Sequence, residues 1–460
     1  MEVLYNFDVE SDKVALIQSV LLLANWNETP GDNKGAWHWM GVAISLAQTL
    51  GMHRKSESKA QSHESKLYKR IWWSCYFRDR MLAIAMGRLL RIRDSEFDTP
   101  PLTLEDFDIV DLPHGLENPF MDRNDLTILA NLCIKAMELC KLVTGVIELH
   151  FSVIQPEDST SRAKENNGMT ATMVFIKQSP PEEHMLQWYD EKLKLWHSTL
   201  PSSYIYGASS VQGYRSPCVM VNAASLHLIF WAAVSALHRP RFEGRQNVIS
   251  ASRVEEAALE VLKVDREMHK TGLDQYLPAT GIPFQFPAFI TLTQGLKNQK
   301  AAGIAKTLEA LYYCFKVVET LRKSFVGGDS AIKFLMLIAQ KADIILLLNQ
   351  DTTICGIAYQ GTYYSPENDE YSLHSTSSGF EFVEVASHQP PCEPALENDL
   401  GLPMTRDMGP INDLVAPSFD QMDAIDWSNL TDILPPWNTD FEFSFGGSVN
   451  LGFPQDVEMI

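Results

Sequence analysis

Twelve histidines, seven cysteines and 58 Asp and Glu are spread over 460 residues, and their spacing decides what chemistry they can do. The cysteines are Cys75, Cys133, Cys140, Cys218, Cys314, Cys355 and Cys392, with no C-x-x-C pair among them. Structural zinc sites draw on such pairs, because two thiolates that close in sequence reach one ion together. Cys133 and Cys140 stand seven apart, two helical turns, which suits a shared packed face. His38 and His53 have no third ligand at metal spacing. An odd, scattered set of thiols implies reduced cysteines in an intracellular protein. Motifs for a phosphate-cradling loop, a dinucleotide turn, a zinc protease helix and a nucleophile elbow are all missing. No Asp-Asp dipeptide occurs, so the clustered aspartates of all-helical terpene cyclases are missing too. These patterns assign no catalytic residue, no metal ligand and no cofactor within the chain.

Two charged patterns remain. Lys69, Arg70, Arg78, Arg80, Arg88, Arg91 and Arg93 form a basic run that, taken alone, suits phosphate contacts. Asp94, Glu96, Asp98, Glu105, Asp106, Asp108 and Asp111 follow at once, so the two blocks are expected to neutralise each other inside one domain. Arg78 falls in the apolar row Leu67, Ile71, Cys75, Leu82, Ala85, and burial there would require a carboxylate from the acidic block. The second pattern is at the far end. Between Asp351 and Ile460 stand 19 Asp and Glu against one basic residue, Arg406, so this stretch holds nearly all of the formal charge of −20. From Phe419 to Leu434, and on through Pro435-Pro436-Trp437 to Phe445, acids alternate with bulky apolar residues. Met422, Ile425, Leu430 and Ile433 would share a helix face suited to a hydrophobic groove. Trp427, Leu434, Trp437, Phe441, Phe443 and Phe445 complete the candidate contacts for a coactivator. A solubilising tail, or one that docks on its own domain, is the plainer alternative.

The elements around these residues read as helices. Apolar spacing predicts helices over residues 13–25, 35–50, 64–86, 123–151, about 182–200, 219–238, 252–270, 289–324 and 331–349. Thr103-Leu104-Glu105-Asp106 has the signature of a short capped helix. Residues 155–178 read as an exposed loop. Pro217–Leu237 lacks any charged residue but carries Asn222, Ser225, His227 and Ser235, which fits a buried helix better than a bilayer span. The opening residues have no basic n-region and no apolar h-region, so no signal peptide is expected and the protein is read as soluble. The expected architecture is all-α over residues 1–350, a large multi-helix domain. A disordered acidic-hydrophobic tail over 351–460 should follow, because self-repulsion and few apolar periods oppose a core there.

Trp37-His38-Trp39-Met40-Gly41-Val42-Ala43-Ile44-Ser45-Leu46-Ala47-Gln48-Thr49-Leu50-Gly51-Met52-His53-Arg54 resembles the fungal-specific transcription factor domain. This is the helical middle region of zinc binuclear cluster regulators, and the cutinase transcription factor type is the nearest form. Trp72, Trp73, Cys75, Asp79, Arg80, Gly87 and Arg88 also look like that family, as does the Leu237-His238-Arg239-Pro240 element. The likeness is dense over residues 14–112 and sparser to about 350. It implies a regulator of fungal RNA polymerase II transcription acting in the nucleus, with the tail recruiting coactivators and the body holding or releasing it. Family members usually carry six upstream cysteines that hold two zinc ions and bind DNA; no such cluster is present here. DNA binding and zinc are therefore implied by kinship, and DNA is reached only indirectly or through that missing module. A homo- or heterodimer is a further implication. Trp37–Met40 with Trp72-Trp73 could line a pocket between helices, with core packing as the simpler reading. Two other functions stay open: a cluster-less inhibitory or metabolite-binding helical protein, and an all-helical enzyme.

Overall fold

A computed structural model describes residue 5 and residues 10–25, 35–55, 62–109, 122–152, 175–177, 181–201, 204, 216–239, 248–325, 327–349 and 353–366. The coactivator-contact candidates between Met422 and Phe445, the acidic tail from residue 367 onward, and Pro240 lie outside these residues.

The described residues build ten α-helices: α1 (Lys13–Leu23), α2 (Ala36–Thr49), α3 (His63–Met86), α4 (Arg123–His150), α5 (Glu183–Ser198), α6 (Pro217–His238), α7 (Val248–Lys270), α8 (Gly281–Gly295), α9 (Ala301–Leu321) and α10 (Gly327–Lys341). Their starts follow from local chemistry. Asp12 accepts from the Val14 and Ala15 amides, Ser62 from Ser65, and Asp122 from Asp125 at 2.7 Å, each satisfying donors that the first helical turn leaves open. The stops are equally local. Gly51 lies just beyond α2 at φ 71° and Gly87 closes α3 at φ 59°, both in the left-handed region where a side chain is strained. Thr103 and Asp106 form a reciprocal capping box on a short 3-10 helix, Leu104–Phe107.

Each helix packs on its sequence neighbour or near neighbour: α1 on α2, α2 on α3, α3 on α4, α4 on α5 and α6, α6 on α7, and α7 on both α8 and α9. One hydrophobic core runs through all of them, from Ile17 and Trp72 at one end to Phe315 and Leu335 at the other. Helix α6 is long and apolar enough to cross a membrane by composition, yet most of it is buried in this core, with His227 bonded to the Tyr204 carbonyl at 3.0 Å.

Four boundaries differ from the sequence reading. Residues 289–324 form two helices broken by a 3-10 turn at Leu296–Asn298, and α8 starts early, at Gly281, with Pro287 inside it. Helix α7 begins at Val248, four residues ahead of the start at 252 that apolar spacing predicts. Helix α10 stops at Lys341, not at Asn349; Asp343 turns the chain at φ 59° into strand β3. The third correction leads to the fourth. β3 (Ile345–Leu348), β4 (Ile354–Tyr359) and β5 (Thr362–Tyr364) form an antiparallel meander packed on α9, so ordered structure runs past the boundary placed at 350 and into residues assigned to the tail. A smaller pair, β1 (Phe151–Ser152) with β2 (Phe175–Ile176), marks the mouth of the segment read as an exposed loop; residues 153–174 between them lie outside the described set.

Candidate functional site

The family-like residues of α3 converge on a buried ionic centre. Asp79 and Arg80 are adjacent on α3, and both point inward. Arg80 has no exposed surface, and each of its donor groups is used. Its Nη1 donates to Asp79 Oδ2 at 3.0 Å, its Nη2 to Asp94 Oδ1 at 2.9 Å and the Ile92 carbonyl at 2.8 Å, and its Nε to Thr144 Oγ1 at 3.1 Å. The guanidinium carbon lies 3.5 Å from the centre of the Tyr76 ring, whose hydroxyl donates to Asp94 at 2.9 Å. Asp79 accepts the Arg91 and Ile92 amides, which ties the segment after α3 back onto the helix. Burial raises the Asp79 pKa, opposed by Arg80 and those two amides. A planar, permanently charged fork suits this cage; a lysine ammonium could not address four partners in these directions.

Around this centre the two charge blocks meet. Lys66 binds Asp108 at 2.6 Å, Lys69 binds Asp106 at 2.6 Å, and Arg70 binds Asp108 at 3.0 Å and also the Asp106 carbonyl. Arg91 stacks on Trp37 at 3.3 Å, over Gly41, where a Cβ would meet its guanidinium at 2.8 Å. A side chain at Gly41 would displace the Arg91 guanidinium from this position. Thus Lys69, Arg70, Arg80 and Arg91 of the basic run are engaged inside the domain. Arg78 departs from expectation. It donates to the Ala24 carbonyl at 2.7 Å, and among the described residues no carboxylate meets it; burial pushes its pKa down to about 10. Its neighbour Arg80 takes the acids instead.

Trp72 and Trp73 are core residues, with Phe97 packed against both and His53 tilted on Trp72. Trp39 and Met40 are buried likewise, whereas His38 and Arg54 are exposed. Burial pushes the Cys75 and Cys140 thiols up to about 12, and Cys133 to about 11, so they pack as apolar groups. Among the described residues no group of three His, Cys, Asp or Glu is disposed to hold a metal.

His238, from the second family-like element, belongs to a different centre. Its Nε2 lies 3.0 Å from Asp190 Oδ1 and its Nδ1 is 3.3 Å from Ser250 Oγ. Arg253 Nε donates to the same Asp190 oxygen at 3.0 Å, and Lys194 reaches the other at 2.6 Å. A serine, a histidine and an aspartate in line invite comparison with a hydrolytic triad, in which the carboxylate steadies an imidazolium. Here that carboxylate already carries two other cations, and Ser250 is buried. The geometry is that of a clamp joining α5, α6 and α7. Burial opposes charge on Asp190, but its contacts with His238, Lys194 and Arg253 outweigh that and hold the pKa below the usual carboxylate range. Arg239 ends α6, its pKa pushed down to about 10 by burial.

Asp190, Thr144, Arg253, Asp265 and Gln285 were not among the candidates. One signal was available for two of them: a lone carboxylate on an apolar helix face. Asp190 interrupts Leu186, Leu193 and Trp196; Asp265 interrupts Val261 and Met268. Nothing in the spacing marks Thr144, whose hydroxyl matters only because Arg80 arrives from another helix.

Residues 2–198, which contain the Arg80 centre and Asp190, match the fungal specific transcription factor domain. The chain is 34% identical over 368 residues to Cutinase transcription factor 1 beta of Fusarium vanettenii, covering 74% of this chain and 41% of that protein. It is 25% identical over 360 residues to Transcription factor cpaR of Aspergillus oryzae, covering 73% of this chain and 57% of that one. Over 192 residues it is 30% identical to Activatory protein CHA4 of Saccharomyces cerevisiae, covering 40% of this chain and 28% of that protein. The chain thus spans less than three-fifths of the length of each of these three relatives. No solved structure matches it. Residues 2–198 of this chain thus match the fungal specific transcription factor domain, and the relatives it is similar to are transcription factors and regulatory proteins.

Proposed function

We propose that this chain is the regulatory and effector part of a fungal RNA polymerase II transcription regulator. The helical body is a scaffold and not an enzyme, and the acidic tail is the surface that recruits coactivators. The observation that carries this reading is the family match over the region built on the Arg80 centre, beside relatives named as transcription factors. The ion clusters around Arg80 and Asp190 support the scaffold role, because each joins several helices. In the tail sequence, carboxylates alternate with Trp427, Trp437 and the Phe441–Phe445 aromatics, a pattern that suits capture by a partner's apolar groove. DNA is reached through a zinc-bearing module outside this sequence or through a partner, and the site of action is the nucleus.

The test is a reporter driven by a heterologous DNA-binding domain fused to residues 367–460, a start that leaves the β3–β5 meander out. The expected result is activation that falls at least fivefold when Trp427 and Trp437 are both replaced by Ala. A fusion that expresses and enters the nucleus but leaves the reporter silent would remove the effector role from the tail.

A further inference from the structure

Among the described residues, one edge of the sheet from which the tail departs is unpaired. The strand order is β3-β4-β5, so β3 pairs with β4 on one side, and no other described strand pairs with its second side. Its sequence is Ile345-Leu346-Leu347-Leu348. Leu346 and Leu348 pack toward the core, while Ile345 is 47% exposed and Leu347 lies over Gly356, 3.0 Å from where a Cβ would stand. Soluble proteins blunt such edges with lysine, proline, a bulge or a very short strand, because open N–H and C=O groups on an apolar strand recruit another strand; β3 carries neither lysine nor proline, and its four residues leave a short run of open backbone. Here the only irregularity is a register shift at Leu347/Leu348, at the far end. Between Asp343 and Glu367 the only charged residue is Asp351. The edge is apolar and uncharged, and most of its length is regular.

The tail contains one segment with the complementary pattern. Phe441-Glu442-Phe443-Ser444-Phe445 alternates aromatic and polar residues with the period of a strand, and Gly446-Gly447 ends it. We propose that residues 441–445 dock along the free edge of β3 as a fourth strand. The three phenylalanines then cover Ile345 and Leu347 as aromatic–aliphatic cross-strand pairs. The tether allows it. About 77 residues separate Tyr364 from Phe441, and a chain of that length reaches roughly 50 Å even as a random coil, whereas β3 lies two strand spacings, about 10 Å, from β5. At the millimolar effective concentration of such a tether, a weak strand addition is populated without any partner. Docking also withdraws the aromatic end of the tail from coactivators, so the inference rests on the effector reading above and assigns the body's restraint to one strand edge.

Amide hydrogen exchange on the full chain tests this. In the wild type the edge amides of Ile345–Leu348 are expected to exchange at least tenfold more slowly than in a variant with Phe441, Phe443 and Phe445 all changed to Ser. These changes leave the body's own sequence intact. Equal rates in the two proteins overturn the proposal, as does protection that vanishes on dilution, which would place a second copy on the edge. As a check from the body side, Ile345→Lys should free the tail and raise reporter output of the full chain at least threefold; unchanged output contradicts the docking. The effector reading fails separately, if residues 367–460 alone are silent while the edge protection persists.

Discussion

At the scale of single residues, the body is stabilised by charges placed where water cannot reach. Arg80 is the extreme case, a guanidinium with no exposed surface held by two carboxylates, a carbonyl, a hydroxyl and an aromatic face. Removing one partner of such a cluster leaves the other charge buried and unmatched, which costs about 3–5 kcal/mol. Arg80→Lys keeps the charge but loses the fork. It is expected to destabilise the body by about 3 kcal/mol or more in denaturant unfolding. Asp265 and Gln285 show the opposite arrangement. Both are fully buried between α7 and α8, and Gln285 Nε2 donates to Asp265 Oδ1 at 2.9 Å. The remaining Asp265 Oδ2 and Gln285 Oε1 are both acceptors with no partner, and a proton on Asp265 would supply the missing donor. Burial accordingly raises the Asp265 pKa well above the usual value, against the Gln285 bond and with help from Asp274. The native state thus binds a proton that the unfolded chain releases near pH 4, and stability is lost as pH rises from there through the raised value. Asp265→Asn keeps one donor permanently. It should be the more stable protein at pH 7, with the difference closing toward pH 4 in parallel unfolding series.

At the scale of elements, one carboxylate joins three helices. Asp190 of α5 receives His238 from the end of α6 and Arg253 from α7, just where residues 240–247 connect them in sequence. Because its pKa lies below the usual range, its contribution is present above about pH 4, the unfolded value, and is lost as pH falls through the folded one. Asp190→Asn should therefore be less stable than the wild type at pH 7. The gap should shrink below about pH 4, read from thermal unfolding at each pH. Close approach of α4 and α5 has its own requirement. Gly145 faces Tyr189, whose ring atoms stand 2.3 Å from where a Cβ would be. Helices and their caps were legible in the sequence because apolar spacing and capping residues are local signals: Asp12, Ser62, Asp122, Gly51 and Gly87 sit at the observed ends. Strand β3 was not legible. A run of Ile and three Leu fits a helix as well as a strand, and its partner Ile357 lies beyond a turn that carries no hairpin dipeptide. The capping residue of α7 was misplaced for a similar reason. Ser252-Arg253-Val254-Glu255 has the right spacing for a capping box, but Ile249 and Ser250 were already on the helix, with Ser250 buried against His238.

At the scale of the whole molecule, charge is segregated along the chain. Nearly all of the net −20 lies after Asp351, and the body before it is close to neutral. The body's ions are consumed internally, as the Lys66, Lys69, Arg70 and Arg80 pairs demonstrate. Which acid meets which base was not readable from sequence, since Asp94 and Asp108 reach α3 only through the turns that follow it. That the two blocks would meet at all was readable, because adjacent runs of opposite sign lie within one loop's reach. The proposed account divides labour: a helical body whose residues 2–198 match the fungal specific transcription factor domain, and a tail to which recruitment is assigned as a proposal. The most direct test compares two fusions to one heterologous DNA-binding domain at matched expression, the full chain and residues 367–460. The account predicts that the tail alone activates the reporter at least as strongly as the full chain. A silent tail beside an active full chain would place the activity in the helical body and contradict it.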